Sequence, residues 1–416
     1  MARQAQQQVR YRRVFYIPGY DPNPPRRYRE LYRTEAARQA KISGYEIDLK
    51  AKTGNGAYGW QVQARIDGAP VHSEFEVLVW SDLVQSSMSG SIPATYLKLL
   101  RTVWTYVASG TLRRLMWLRK GPVIAALYPI GMLLLQLLLA CLLAGVAASV
   151  LQALAARLPG GQTANLIAQI LSLVVALAVL VLALRGFRAC DGRLFAYYLM
   201  QDYAHAAQAG GAYPPDLEQR IAAFADIVAA ALNSDADEVL VVGHSSGAHI
   251  GVSLLADLIR AGRVSADGPV LGFLSLGQVV PMVSFLKQAH RLRADLRYLS
   301  TSDALCWVDV SAPGDGCSFA LCDPVAVSGV AGPGKKWPLV ISAAFTQTLS
   351  PERWAALRWR FFRLHFQYLC AFDRPGDYDY FRITAGPQTL AGRFAGRAAS
   401  RSRIDVAASK YTSVAA

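Results

Sequence analysis

Two long stretches of this chain carry no charge, and the sequence on either side of them alternates between short apolar runs and helical periodicity. The first stretch runs from Gly121 to Ala156 and includes GMLLLQLLLACLLAGVAASVLQAL. A spanning helix needs about 20 apolar residues, so this run predicts one membrane span with an extra turn or two at the interface. Pro129 is the position at which it would kink. A polar turn follows, LPGGQTAN, containing Pro159, Gly160 and Gly161. Beyond it, Leu166 to Leu184 (LIAQILSLVVALAVLVLAL) suits a second span. The competing reading is a buried helical hairpin in a large soluble protein, but such helices rarely stay uncharged over this length.

The flanking charges predict an orientation. Lys98, Arg101, Arg113, Arg114, Arg119 and Lys120 precede the first run, and Arg185, Arg188 and Arg193 follow the second. The connection offers only Arg157. Positive flanks stay on the cytoplasmic side, so both ends of the hairpin, both termini and the remaining chain are expected in the cytoplasm.

Outside the hairpin the period changes repeatedly. VFYIPGY (14–20) is an apolar run ending at Gly19, and DPNPPRR breaks the chain before a helical pattern through RYRELYRTEAARQAK. The stretches YEIDLK, WQVQARID and FEVLVW then read as strands. After the hairpin, DLEQRIAAFADIVAAAL has helical spacing, DEVLVV (237–242) reads as a buried strand, and SSGAHIGVSLLADLIRAG as a helix. Further strand candidates are PVLGFLSLG, LRYLS and CWVDVSA (306–312). Strands alternating with helices predict an α/β fold, a mainly parallel sheet flanked by helices, with chemistry at the carboxyl ends of its strands. The expected organisation is a first part of this domain over 1–120, the hairpin over 121–185, a second part over 186–390, and a flexible, small and basic tail over 391–416.

Composition agrees with this division. Of 416 residues, 53% are hydrophobic and 17% charged, where a soluble domain carries about 25% charged residues. The net charge of +14, from 43 Lys and Arg against 29 Asp and Glu, suits nucleic acid or an anionic membrane surface. The apolar runs favour the lipid bilayer as partner and not nucleic acid. The N-terminal MARQAQQQVRYRR has no apolar region of a secretory signal. Six cysteines are scattered without a CxxC spacing or a His pair, so neither a metal site nor a disulfide framework is expected. No phosphate-binding or dinucleotide motif is evident, and no cofactor is expected.

The chemistry is carried by VVGHSSGAHIG (241–251), with Gly243-His244-Ser245-Ser246-Gly247. A match to GxSxG arises by chance in roughly one chain in seven of this length at average usage. Its setting raises its weight: a buried strand precedes it and a helix follows, the context of a nucleophile elbow. Gly243 and Gly247 fit a strained turn without room for side chains beside Ser245.

In this form and setting the chain resembles the lipases and esterases of the α/β-hydrolase superfamily, over about residues 12–120 and 186–390. The resemblance implies a Ser-acid-His triad in that chain order. His72 and His205 precede the serine, His244 and His249 belong to the elbow and its helix, and His290 precedes any acid at a strand end; His365 remains. For the acid, Asp315 in a Pro-Gly loop after a strand is preferred, then Asp309 within the strand, then Asp323. The implied oxyanion donors are the backbone N–H groups of Ser246 and Tyr20, with Gly19 letting the backbone approach, although Pro18 stands where lipases carry histidine. Arg358, Arg360 and Arg363 crowd the approach to His365 and read as a solvated basic face, with capture of an anionic headgroup as the rival.

The expected function is a membrane-anchored serine hydrolase cleaving carboxylic esters, with lipid or other acyl substrates following from the position of the hairpin inside the domain. An acyltransferase or thioesterase on the same scaffold, and a non-catalytic membrane scaffold, are the alternatives.

Overall fold

A computed structural model describes residues 8–52, 57–159 and 161–415. Most of the N-terminal polar segment and Gly160 of the predicted turn lie outside the described residues. The chain forms two compact units, one of residues 1–86, 105–123 and 206–416, the other of residues 87–104 and 124–205. The second is larger than the predicted 121–185 hairpin because segments on both sides of it join.

The first unit is built on an eight-stranded sheet: β1 (Tyr11–Ile17), β2 (Glu46–Ala51), β3 (Gly59–Ile66), β4 (Ala69–Val77), β5 (Glu238–His244), β6 (Val270–Leu276), β7 (Cys306–Ser311) and β8 (Leu339–Ser342). Their spatial order is β2-β3-β4-β1-β5-β6-β7-β8. β2, β3 and β4 form an antiparallel meander; every pairing from β4 through β1 to β8 is parallel. The central strands β5, β6 and β7 are buried at every position, which is why they read as continuous apolar runs. β2 instead exposes Glu46, Asp48 and Lys50, charges that protect a sheet edge from pairing with another chain.

Helices flank the sheet. Val14 and Tyr16 of β1 join a core with Tyr28 and Tyr32 of α1 (Arg26–Ser43) and with Leu364 and Tyr368 near the C-terminal end. The helices α2 (Ile92–Ala108), α3 (Thr111–Leu118), α4 (Lys120–Ala155), α5 (Gln162–Ala189), α6 (Ala196–Ala207), α7 (Pro215–Leu232), α8 (Gly247–Arg260) and α9 (His290–Thr301) follow in chain order. α9 contains LRYLS, so that segment is a helix and not the expected strand. Its buried positions Leu292, Leu296 and Leu299 recur at helical spacing, a pattern that five residues read alone do not reveal. β8, only four residues long, was not anticipated.

The described residues of the predicted tail, 391–415, also differ from expectation. In place of a loose tail, the chain is bonded along the first unit. The Ile404 N–H donates to the Leu321 carbonyl (2.7 Å) and the Asp323 N–H to the Ile404 carbonyl (2.8 Å). Ser400 donates to Val340, Ala408 to Val327, and Arg293 Nε to the Ser413 carbonyl. Small residues such as Ala408, which is buried, let the segment lie flat against the domain.

In the second unit, α4 and α5 are long and apolar enough to cross a membrane. At 1.5 Å per residue their 36 and 28 residues reach about 54 and 42 Å, against about 30 Å of hydrocarbon. Leu134, Leu138, Leu142 and Val146 on α4 and Leu166, Ile170, Leu173 and Leu177 on α5 are exposed. A small cluster of Leu99, Leu133, Ala196, Tyr197 and Met200 ties α2 and α6 to α4, and the Tyr96 hydroxyl donates to the Leu133 carbonyl at 2.9 Å.

Candidate active site

Four segments meet at the carboxyl ends of the parallel strands. The first is the turn between β5 and α8. Ser245 stands there with φ 56°, a left-handed conformation that costs a non-glycine residue energy and persists only where the surroundings enforce it. The enforcement is visible around it. The Ser245 N–H donates to the Leu276 carbonyl at 2.9 Å, and α8 begins two residues on, so close to β1 that a Cβ at Gly247 would lie 2.2 Å from the Ile17 carbonyl oxygen. Ser246 occupies the N-cap position of α8 without a side-chain cap bond, where the first N–H groups of a helix lack intrahelical acceptors.

The second segment is the loop after β1. A Cβ at Gly19 would lie 2.9 Å from Ser245 Cβ and 3.4 Å from its Oγ, so the Gly19 backbone lies directly against the nucleophile candidate. Trp80 Nε1 donates to the Pro18 carbonyl at 2.9 Å. On the other side of the loop Asp21 accepts from the Tyr28 hydroxyl (2.7 Å) and Arg27 (3.0 Å). Tyr20, between these anchors, is buried with its ring roughly perpendicular to that of Trp80.

The third and fourth are the loop after β7 and the short helix α10 (Phe361–His365). His365 Nδ1–H donates to Asp315 Oδ2 at 2.7 Å, and both side chains are buried. The Cys317 N–H donates to Asp315 Oδ1 at 2.9 Å and the Tyr368 hydroxyl to Oδ2 at 3.0 Å. Burial alone would raise the Asp315 carboxyl, but the adjacent His365 imidazole and its hydrogen bond, with the Cys317 N–H, outweigh it and hold it below its usual range. Asp315 is therefore an ionised acceptor. Tyr368, pushed well above the usual tyrosine range by burial and by Asp315, keeps its proton to donate; its oxygen in turn accepts from the Ala312 N–H at 3.0 Å.

With Nδ1–H directed to the carboxylate, Nε2 of a neutral His365 is the basic nitrogen. It is buried and accepts no hydrogen bond from a described residue. Ser245 Oγ and His365 Nε2 are thus not bonded here, and such contacts commonly tighten only when substrate is bound. Their neighbourhood is nevertheless shared. Gly277, next to the Leu276 that holds the Ser245 amide, would place a Cβ 3.1 Å from His365 Cε1.

His244, beside the serine, joins the same assembly in a structural role. Its Nε2–H donates to the His365 carbonyl at 3.0 Å, and its Nδ1 faces the Tyr16 hydroxyl at 3.3 Å. Burial, reinforced by the neighbouring His365 imidazole, lowers His244 to about 3, so it is a neutral strut beneath the turn that carries His365. Neither this strut nor Tyr368 was expected. The His365–Tyr368 spacing of three residues, one helical turn, was the available signal for the second.

The alternative acids are engaged elsewhere. Asp309 points into the sheet, where Ser275 Oγ donates to it at 2.5 Å, and burial raises it to about 8. Asp323 accepts from the Val325 and Ala326 amides and pairs with Lys335 at 2.6 Å.

Asp315, Cys317 and His365 each offer a metal-ligand atom within 4.8 Å of the others. Two of the three already bond one another, and a closed zinc site takes four protein ligands. No protein family, curated protein or solved structure matches the chain, so its chemistry has to be argued from these residues.

Proposed function

We propose that this chain is a membrane-anchored serine hydrolase of the α/β-hydrolase type that cleaves carboxylic esters, with lipid or other membrane-dissolved acyl compounds as substrates. The observation that carries the reading is a serine at positive φ on a strand-turn-helix elbow, beside a buried, hydrogen-bonded histidine and ionised aspartate drawn from distant parts of the sequence. A serine hydroxyl is a poor nucleophile until a base removes its proton. In the proposed cycle Ser245 Oγ attacks the ester carbonyl while His365 Nε2 takes the hydroxyl proton. Asp315 stabilises the imidazolium that forms. The N–H groups of Ser246 and Tyr20 hold the oxyanion, the larger electrostatic contribution in such sites. His365 then gives its proton to the departing alkoxide, leaving an acyl-Ser245 that water, activated by His365, hydrolyses.

α4 and α5 act in this reading as two membrane spans, with the sheet-containing unit and both termini cytoplasmic, as the basic flanks require. A fluorophosphonate probe on intact membranes tests the activity. Labelling of the wild type and its loss in Ser245→Ala support the reading; a folded wild-type protein that takes no label overturns it.

A further inference from the structure

Residues 358–363 read RWRFFR, and Arg358, Trp359, Arg360, Phe361 and Arg363 all face solvent. Trp359 exposes 73% of its surface and Phe361 49%. None of the three arginines makes an ion pair with a described residue; the Arg358 guanidinium instead lies 5.7 Å from the centre of the Trp359 ring. This is a concentrated positive charge interleaved with large uncovered aromatic surface.

The segment is built onto the candidate active site. Phe361 opens the helix that ends at His365, four positions on and therefore on the same face. Its ring also stands against the acid loop, since a Cβ at Gly316, next to Asp315, would lie 3.3 Å from Phe361 Cδ1. The same glycine receives the first turn of α4, because a Cβ at Gly121 would lie 3.2 Å from Gly316 Cα. Just before that turn, α3 presents Trp117, 77% exposed, near the exposed Arg113 and Lys120. RWRFFR thus meets the loop of Asp315 beside Gly121 in the first turn of α4, four residues after Trp117, where the chain passes into 36 residues without charge (Gly121 to Ala156).

Aromatic rings with a polar edge favour the headgroup level of a bilayer, and arginines beside them are attracted to anionic lipid. We infer that RWRFFR and Trp117 form a bilayer-interface anchor that seats the Asp315–His365 side of the site in the headgroup layer of an anionic membrane. The inference rests on the membrane reading of α4 and is independent of ester hydrolysis. It replaces the solvated basic face expected for Arg358, Arg360 and Arg363.

The test uses the full chain in nanodiscs of phosphatidylcholine and phosphatidylglycerol whose acyl chains are brominated near the headgroup, with tryptophan emission as readout. Trp117→Phe/Trp359→Phe should lose part of the bromolipid-quenched emission seen in the wild type. Arg358→Gln/Arg360→Gln/Arg363→Gln should lower that quenching to its level in phosphatidylcholine alone. Equal quenching of the wild type and the double tryptophan variant overturns the anchor, as does quenching of Trp359 by aqueous iodide but not by bromolipid, the outcome expected if this face is free or reserved for a soluble partner. Fluorophosphonate labelling of Ser245, read on the same samples, separates failure of the hydrolase reading from failure of the anchor.

Discussion

Replacing Asp315 by asparagine changes few atoms and tests the proposed triad sharply. The carboxylate accepts on both oxygens, from the Cys317 N–H at Oδ1 and from His365 Nδ1–H and the Tyr368 hydroxyl at Oδ2. An amide can accept on one side only. Turned one way, its NH2 meets the Cys317 N–H, a backbone donor that cannot reorient; turned the other way, it meets His365, which can move its proton from Nδ1 to Nε2. The second arrangement is favoured, and it leaves Nε2 protonated and unable to take a proton from Ser245. In serine proteases this exchange costs about 10⁴ in kcat, equivalent to about 5.5 kcal/mol at 1.36 kcal/mol per tenfold. The expected result for Asp315→Asn is a loss of similar size in the second-order rate of fluorophosphonate labelling, with folding checked by thermal unfolding. Asp309→Asn supplies the control, because Asp309 bonds Ser275 inside the sheet and should leave labelling within a few fold of wild type. Labelling of Asp315→Asn within tenfold of wild type, or an equal loss in Asp309→Asn, would refute the triad.

Asp309 carries a separate prediction about stability. Its folded-state pKa is raised by burial to about 8, above the unfolded value of about 3.9, so its contribution is full below that unfolded value and is lost as pH rises through about 8. Thermal unfolding in detergent should therefore show a decline from pH 4 to 8 that is flatter in Asp309→Asn; identical profiles would count against a neutral buried acid. Gly19→Ala introduces a methyl 2.9 Å from Ser245 Cβ. A displacement of order 1 Å at the nucleophile should slow labelling about 10²-fold, with about 1–3 kcal/mol of destabilisation from overpacking; normal labelling would separate the β1 loop from the reaction centre. For topology, single cysteines at Gln162 and Ala415 should react with impermeant reagents from opposite sides of the membrane, and reaction of both from one side would exclude the hairpin.

The features legible in the sequence were those encoded within one element. Uncharged runs marked α4 and α5, period-two and continuous apolar runs marked most strands, and Gly243 to Gly247 between a strand and a helix marked the elbow, because each is a local pattern set by side-chain periodicity or backbone sterics. LRYLS failed as a strand because five residues are too few to separate the two periods. The tail read as flexible because its composition is small and polar, while its order comes from backbone bonds to residues such as Leu321 and Val327, far away in the chain.

Choosing among acids was a tertiary decision of the same kind. Asp309 and Asp315 lie six residues apart in one strand-loop segment, and sequence reasoning could only rank them. The end of β7 separates their surroundings: Asp309 falls inside the strand, bonded to Ser275 of β6, and Asp315 falls in the loop, where it meets a histidine 50 residues later. The His244 strut under His365, and the meeting of RWRFFR with the first turn of α4 at Gly316, are also contacts between distant segments. Periodicity along the chain specifies which face of an element is apolar; only the packing of those faces determines which polar groups are brought within hydrogen-bonding distance.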